Sequence, residues 1–212
     1  MRRKLAGLYA ITPDEPRTDV LAAKVAQALA GGASALQYRN KSASAGLRRE
    51  QVRALAALCS NAGVPLIVND DLALVLELDA DGLHLGANDG DLAEARKRFG
   101  QGKLLGASCY DRLELARAAA QAGADYLAFG SVFLSSTKPG AMRAPLGIFA
   151  QARRRFDLPL VAIGGISLQN ASEVFAAGAD AVAVISALFD ADDIAARAAD
   201  FTRLYQQQRM QQ

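Results

Sequence analysis

The chain has 212 residues, of which 51% are hydrophobic, and its 24 basic and 22 acidic residues leave a formal net charge of +2. This length fits one domain, over residues 1–212, with a sizeable core, and the near-balanced charge argues against a nucleic-acid partner. The longest uncharged stretch near the C-terminal third, 158–172, is too short and too rich in glycine to span a membrane. The basic start 2-RRK-4 precedes no cleavage-like segment, and two cysteines form no disulfide framework, so we expect a cytoplasmic protein.

Short apolar runs alternate with alanine-rich helical runs along the whole chain. The predicted strands cover residues 7–12, 33–39, 65–70, 81–86, 104–109, 126–132, 159–166 and 181–186. Helices are predicted over runs that include 18–30, 47–62, 111–122 and 190–205, with Thr18, Asp111 and Asp190 as N-cap candidates and 206–212 as a frayed tail. The strands are almost continuously apolar, as a parallel sheet covered by helices requires.

An internal repeat indicates how these units are arranged. The phrases 31-GGASAL-36, 79-DADGLH-84, 123-GADYLA-128 and 178-GADAVA-183 each introduce an even-numbered predicted strand. A (βα)₂ unit that recurs about four times, with alternate strands alike, matches a (β/α)₈ TIM barrel. The same Gly-Ala-Asp turn also occurs in open doubly wound sheets, but about eight units in roughly 200 residues favour a single compact α/β barrel.

Polar side chains stand at the ends of nearly all the predicted strands. They are Gln37, Arg39, Lys41, Asn69, Asp70, Asp71, His84, Asp89, Ser108, the run 135-SSTK-138 and Ser186, and Gly165 and Ile185 add backbone groups at the ends of strands 7 and 8. In a (β/α)₈ barrel the active site lies at the C-terminal ends of the strands, so we expect these groups to converge on one mouth.

Each of these residues also has a simpler explanation. Arg39 and Lys41 could form a solvated rim, and either Asp70 or Asp71 could cap the helix that starts at Leu72. His84 on an apolar strand is more often a satisfied core group than a ligand or a base.

Taken together, the strand ends point to two anion sites. The glycine-rich ends of strands 7 and 8 can offer backbone N–H groups to a phosphate. Arg39, Lys41 and Lys138 form a second cationic set beside Asp70 and Asp89. Two carboxylates among cations suggest Mg²⁺ shared with a diphosphate, and hence a two-substrate transfer in which diphosphate leaves. No nucleophile–base pair is evident, so we expect no covalent intermediate.

At this point the residues resemble a known family, thiamine-phosphate synthase, over nearly the whole chain. The motifs that carry the resemblance are 37-QYRNK-41, 69-ND-70, 82-GLHLG-86 with Asp89, 106-GAS-108, 135-SSTK-138, 161-VAIGGI-166 and 183-AVIS-186. The order of Q-x-R-x-K, ND and the metal aspartate is specific, whereas the barrel phosphate signature is shared by many enzymes.

The resemblance implies a transferase of thiamine biosynthesis that joins a pyrimidine diphosphate to a thiazole phosphate. It implies that Asp70 and Asp89 ligate Mg²⁺, and that Arg39, Lys41, Lys138 and Ser108 are catalytic. It further implies a set of residues that bind the two substrates. They are Gln37, Tyr38, Arg39, Asn40, Lys41, Asn69, Ser108, Ser135, Ser136, Thr137, Lys138, Gly165, Ile185 and Ser186.

Three departures from the family pattern affect fine geometry. Ser135 stands where the family usually has Thr, Leu134 replaces the usual Pro, and Ala87 replaces a common Gln. Two other functions remain open, a thiazole tautomerase-like isomerase that needs no Mg²⁺ and a non-catalytic sensor of a thiamine precursor. The charged residues at the mouth favour the coupling enzyme. The sequence does not indicate an oligomeric state.

Overall fold

Eight parallel strands close into a barrel in the computed structural model, which describes residues 5–87, 89–134 and 143–210. The strands are β1 (Gly7–Ile11), β2 (Ala35–Tyr38), β3 (Leu66–Asn69), β4 (Gly82–Leu85), β5 (Leu104–Tyr110), β6 (Tyr126–Phe129), β7 (Leu160–Ile163) and β8 (Ala181–Val184). Each strand pairs with its neighbours in chain order, and β8 pairs with β1. The predicted (β/α)₈ barrel is therefore confirmed.

Helices follow the strands and cover the outside of the barrel. They are α1 (Thr18–Ala30), α2 (Ala45–Ala62), α3 (Leu72–Leu78), α4 (Leu92–Phe99), α5 (Leu113–Gln121), α6 (Gly147–Arg153), α7 (Ala171–Ala176), α8 (Ser186–Phe189) and α9 (Ile194–Met210). None of the helices in the described ranges is both long enough and apolar enough to cross a membrane.

Two apolar cores result from the alternation of side chains along the strands. The larger core lies between the strands and the helices, and it includes the buried thiols Cys59 and Cys109. The smaller core fills the barrel interior around Tyr9, Ile67 and Tyr126. Because successive side chains of a strand point to opposite faces, a nearly continuous apolar strand supplies both cores at once.

The sequence repeat has a structural cause at the N-terminal end of the barrel. Asp81, Asp125 and Asp180, each just before an even-numbered strand, accept a hydrogen bond from a backbone N–H of the preceding odd-numbered strand, at 2.9, 2.8 and 2.7 Å. In the first unit Ser34 stands at this position, and its hydroxyl donates to the Leu8 carbonyl at 2.9 Å. The repeat therefore marks a side-chain clamp between consecutive strands.

Helix ends depart from the sequence prediction in several places. Arg17 and Arg112, rather than Thr18 and Asp111, are the N-cap residues of α1 and α5, and neither makes a side-chain cap. Asp190 ends the short helix α8, and Asp193 instead accepts from the first turn of α9 at 2.8 Å.

The C-terminal helix is longer than predicted. Helix α9 continues to Met210, so residues 206–210 of the predicted frayed tail 206–212 are helical, and residues 211–212 lie outside the described part of the chain. The run 206-QQQ-208 consists of good helix formers, which carry the helix on once Leu204 and Tyr205 have packed against the core.

Candidate active site

A cavity of about 340 Å³ opens at the C-terminal ends of the strands, and all eight strands or the turns that follow them contribute to its wall. The predicted site residues in this wall are Gln37, Arg39, Lys41, Asn69, Asp70, Asp89, Ser108, Gly165, Ile185 and Ser186. The structure thus brings together residues as far apart in the chain as Gln37 and Ser186.

Arg39 and Lys41 face the cavity because the alternation of β2 continues past its end. The Thr12 hydroxyl holds this segment, accepting from the Arg39 N–H at 2.8 Å and donating to the Arg39 carbonyl at 2.9 Å. The Asp14 carboxylate lies 3.5 Å from the Arg39 guanidinium and accepts from the Lys41 N–H at 3.1 Å. Thr12 and Asp14 were missed in the sequence, although they follow β1 as the other site residues follow their own strands.

Tyr38 and Asn40 have the opposite orientation and do not line this cavity. The Tyr38 hydroxyl donates to the Gln51 side chain of α2 at 2.8 Å. The Asn40 amide donates to Gln51 at 3.1 Å and to the Glu15 carbonyl at 2.9 Å. Both side chains therefore anchor the β2 end to its surroundings. They border an adjoining depression of about 370 Å³, which shares Arg39, Lys41, Asn69 and Asp70 with the cavity. Their role in substrate binding stays a prediction.

Two carboxyl groups meet on the wall formed by β3 and β4. Burial, followed by the neighbouring charge and hydrogen bond of Asp89, raises the pKa of Asp70, while Lys41 and Asn69 oppose that rise. The Lys41 ammonium lies 3.9 Å from the Asp70 carboxylate. Asp70 has a φ of 64°, a conformation that non-glycine residues seldom adopt and that concentrates at functional sites.

Of the two adjacent aspartates, Asp71 is the one that caps helix α3. Its side chain accepts from the Leu74 N–H at 2.9 Å, and it is the N-cap residue of α3. A side-chain oxygen in this role satisfies one of the unpaired N–H groups at a helix start. Asp70 is therefore free of the capping role and is turned into the cavity.

The carboxyl pair has the chemistry of a cation site that a ligand completes. Within the ranges that the structure describes, no group of three or more His, Cys, Asp or Glu side chains is arranged to hold a metal. Two neighbouring carboxylates repel each other, and a divalent cation between them would relieve that repulsion. Mg²⁺ is commonly bound in this way, by one or two carboxylates, substrate phosphates and water. Asp70 and Asp89 fit this donor set.

The cavity wall at the ends of β6, β7 and β8 is formed largely by backbone atoms. Side chains at Gly164 and Gly165 would collide with Ser131 and with the Leu134 carbonyl, so the chain after β6 packs directly on the end of β7. Backbone bonds from Val132 and Phe133 to the β7 end, both at 3.0 Å, fix this approach. Ile185 and Ser186 follow β8 at the same wall. Ser135, Ser136, Thr137 and Lys138 lie outside the described residues.

A buried row of polar side chains crosses the barrel interior beneath the cavity. The Gln37 amide nitrogen donates to the Tyr9 hydroxyl at 2.8 Å, which lies 2.9 Å from the Tyr126 hydroxyl. Tyr126 lies 2.9 Å from His84 Nδ1, and His84 Nε2 lies 2.9 Å from the Ser108 hydroxyl. His84 is thus a satisfied interior group, as its apolar strand indicated. Tyr9 and Tyr126 were missed because each lies in an apolar run.

The chain is similar to known proteins over nearly its whole length. A family model described as thiamine monophosphate synthase matches residues 8–188. A thiamine-phosphate synthase of Aromatoleum aromaticum is 55% identical over 202 residues, which cover 95% of this chain and 97% of the relative. One of Methylobacillus flagellatus is 56% identical over 201 residues, with 95% and 96% covered.

A solved structure agrees with these relatives. The thiamine phosphate pyrophosphorylase of Pyrococcus furiosus superposes with a TM-score of 0.87 at 34% identity, over 97% of this chain and 98% of the other. The resemblance noted in the motifs is therefore confirmed by whole-chain similarity in sequence and in fold. The chain belongs to the thiamine monophosphate synthase family of transferases.

Proposed function

We propose that this protein catalyses the Mg²⁺-dependent coupling of 4-amino-2-methyl-5-(diphosphomethyl)pyrimidine with 4-methyl-5-(2-phosphoethyl)thiazole or its carboxylated precursor. The products are thiamine phosphate and diphosphate, and the reaction is a step of thiamine biosynthesis in the cytoplasm. The observation that carries the proposal is the meeting of Arg39 and Lys41 with the Asp70–Asp89 carboxyl pair in one cavity. Cations and carboxylates side by side suit a metal-bound diphosphate better than a lone phosphate.

The first substrate would occupy the side of the cavity formed by β2 to β5. Arg39, Lys41 and Lys138 would neutralise the diphosphate. Gln37, Asn69 and Ser108 would hold the aminopyrimidine. The Arg39 side chain is only 16% exposed, so its charge acts in a poorly solvated place, where it stabilises an anion more strongly than in water.

Asp70 and Asp89 would hold the magnesium ion. When bound, the ion supplies positive charge to the leaving diphosphate. The Gly86 N–H donates to the Asp89 carboxylate at 3.0 Å and fixes one of its oxygens. Lys41, 3.9 Å from Asp70, adds a positive charge beside the same group.

The second substrate would bind across the cavity. Gly165, Ile185 and Ser186 would present backbone and hydroxyl groups to its phosphate, together with Ser135, Ser136 and Thr137. This arrangement would place the thiazole nitrogen facing the pyrimidine carbon that carries the diphosphate. Holding both partners in line converts a bimolecular encounter into an oriented reaction.

The reaction needs one bond broken and one bond made. The bond between the pyrimidine methylene carbon and the diphosphate oxygen breaks, and its electron pair leaves with diphosphate. The thiazole nitrogen then gives its lone pair to the resulting pyrimidine-methyl cation. The chain's contribution is charge stabilisation by Arg39, Lys41 and Lys138, with Ser108 at the pyrimidine. No residue needs to form a covalent bond to either substrate.

The test is diphosphate release by the full-length chain with both substrates present, measured with Mg²⁺ and with excess chelator. We expect equal amounts of diphosphate and thiamine phosphate with Mg²⁺, and release at the background rate with chelator. A tautomerase-like isomerase would convert the thiazole phosphate alone without releasing diphosphate. A sensor would bind a precursor without turnover. Either of those results would overturn the proposal.

A further inference from the structure

The buried row Gln37–Tyr9–Tyr126–His84–Ser108 connects Gln37 and Ser108 through three buried side chains. Gln37, His84 and Ser108 all line the cavity. Tyr9 and Tyr126 are each 1% exposed, and His84 is 7% exposed. Four hydrogen-bond distances between 2.8 and 2.9 Å join the five groups without a break.

With the Gln37 NH₂ turned towards Tyr9, as it is in this structure, all the hydrogen bonds of the row run in one direction. The Gln37 NH₂ can only donate, so the Tyr9 hydroxyl accepts from it and sends its own hydrogen to Tyr126. Tyr126 in turn donates to His84 Nδ1, which must then be the acceptor nitrogen. His84 Nε2 therefore carries the ring hydrogen and donates to the Ser108 oxygen. The Ser108 hydroxyl hydrogen is left for the cavity.

Packing holds the row in place. The Tyr126 ring stacks on His84 with centroids 5.6 Å apart and meets Tyr9 edge-on at 5.9 Å. A side chain at Gly106 would collide with the Tyr126 ring, so the glycine of the 106-GAS-108 motif makes room for it. Burial raises the pKa of Tyr9 and of Tyr126 well above that of an exposed phenol, so both keep the hydrogen that the row requires.

We propose that Tyr9, Tyr126 and His84 are positioning residues that couple the hydrogen-bond polarity of Gln37 to that of Ser108 in the cavity wall. Gln37 then presents its amide oxygen as an acceptor, and Ser108 presents its hydroxyl as a donor. An amino-substituted heterocycle, with an exocyclic amine beside a ring nitrogen, needs this pair of partners. The inference rests on the proposed function, in which an aminopyrimidine occupies this wall, and it makes the row a determinant of amino against oxo specificity.

The same five side chains could also be hydrogen-bonded in the opposite direction, and the two directions can be distinguished by experiment. If the Gln37 amide were turned, Tyr9 would donate to it and every bond would run the other way, with the hydrogen on His84 Nδ1. Gln37 would then present a donor, and the wall would suit an oxo group. The tautomer of one imidazole therefore reports the polarity of the whole row.

His84 is the single histidine of the chain, so ¹⁵N-histidine labelling of the full-length protein gives one unambiguous spin system. We expect two-bond ¹H–¹⁵N correlation spectra at neutral pH to show the Nε2–H tautomer, and Tyr126→Phe to weaken that preference. An Nδ1–H tautomer in the unaltered protein would overturn the proposal. This measurement needs no turnover, so its outcome is independent of whether the coupling reaction is confirmed.

Kinetics supply the second test. Tyr126→Phe should lower kcat/KM for the amino substrate about tenfold, because one buried hydrogen bond is lost. The ratio of kcat/KM for the amino substrate to kcat/KM for the oxo analogue should fall as well. Tyr205→Phe is the matched control, since Tyr205 packs on Phe175 and lies against Gly7 at the other end of the barrel. Tyr9→Phe repeats the test if the first variant does not fold. Unchanged discrimination in a folded Tyr9 or Tyr126 variant would contradict the proposal.

Discussion

Gly86 shows how a single hydrogen atom in place of a side chain shapes the carboxyl pair. Its N–H donates to the Asp89 carboxylate at 3.0 Å, and a β-carbon added at this position would collide with that same carboxylate. The carboxylate therefore sits in space that only glycine leaves open. A group that orients a metal ligand in this way affects metal affinity nearly as directly as the ligand itself.

Gly86→Ala should weaken Mg²⁺ activation without unfolding the barrel. The added methyl group would displace the Asp89 carboxylate, and we expect the apparent Mg²⁺ affinity to fall about tenfold to 100-fold. Magnesium titration of the coupling rate measures this directly. Gly102→Ala is the control, because a β-carbon there meets nothing within 4 Å. An unchanged magnesium requirement in Gly86→Ala would argue against Asp89 as a ligand.

The alternation of side chains along β2 predicted only part of the site. The period of two along 37-QYRNK-41 gave the shared face of Gln37, Arg39 and Lys41, all of which line the cavity. Tyr38 and Asn40 were assigned to substrate through their place in the motif, yet the same period turns them towards α2. Tyr9 and Tyr126 carry no local signal of their role, because their partners lie 117 residues apart and only barrel closure joins them.

The repeated aspartates are the clearest feature at the scale of elements. The same carboxylate-to-backbone bond recurs at Asp81, Asp125 and Asp180, but its surroundings differ. Asp125 also pairs with Arg96, and both side chains are almost fully buried. Asp81 is exposed. Asp180 pairs with Arg153, and both of these side chains are partly exposed. The repeat therefore places one interaction in three electrostatic environments.

Asp125→Ala should be far more destabilising than Asp81→Ala. The first variant leaves the buried Arg96 charge without its carboxylate, which we expect to cost about 3–5 kcal/mol of unfolding free energy. The second leaves one backbone N–H of β3 unpaired, at about 1–3 kcal/mol. Urea unfolding of both variants gives the comparison. Equal losses would show that the Arg96 pair contributes nothing beyond the shared clamp.

Element order was predictable, whereas several element ends were not. Strand and helix order followed from apolar runs and their spacing, since burial on both faces demands such runs. The ends depend on local hydrogen bonds that composition does not reveal. Asp190 looked like an N-cap because an alanine-rich helix follows it, but α8 ends at this residue and Asp193 takes the capping role. The choice between Asp70 and Asp71 likewise depends on which carboxylate reaches the Leu74 N–H.

At the scale of the whole molecule, barrel closure turns eight dispersed strand ends into one cavity. The sequence predicted this convergence because a (β/α)₈ barrel places every strand's C-terminal end on the same face. The sequence did not predict the backbone contacts between the ends of β6 and β7. These contacts join segments more than 30 residues apart, such as Val132 and Ile163. Long-range packing, rather than residue type, decides that wall.

If Asp70 belongs to a metal site for diphosphate, one substitution of it should have opposite effects on diphosphate binding with and without Mg²⁺. With Mg²⁺ present, Asp70→Asn should weaken binding of inorganic diphosphate at least about tenfold, because a ligand of the ion loses its charge. With chelator present, the same change should strengthen binding, because a carboxylate that repels the anion is gone.

Isothermal titration calorimetry of inorganic diphosphate into the full-length protein measures both effects. Asp71→Asn is the matched control, because asparagine retains the N-cap of α3 and Asp71 does not line the cavity. We expect the control to bind Mg²⁺-diphosphate as the unaltered protein does, and Asp70→Asn to bind it at least about tenfold more weakly. Equal affinity for Mg²⁺-diphosphate in Asp70→Asn and in the unaltered protein would contradict the account.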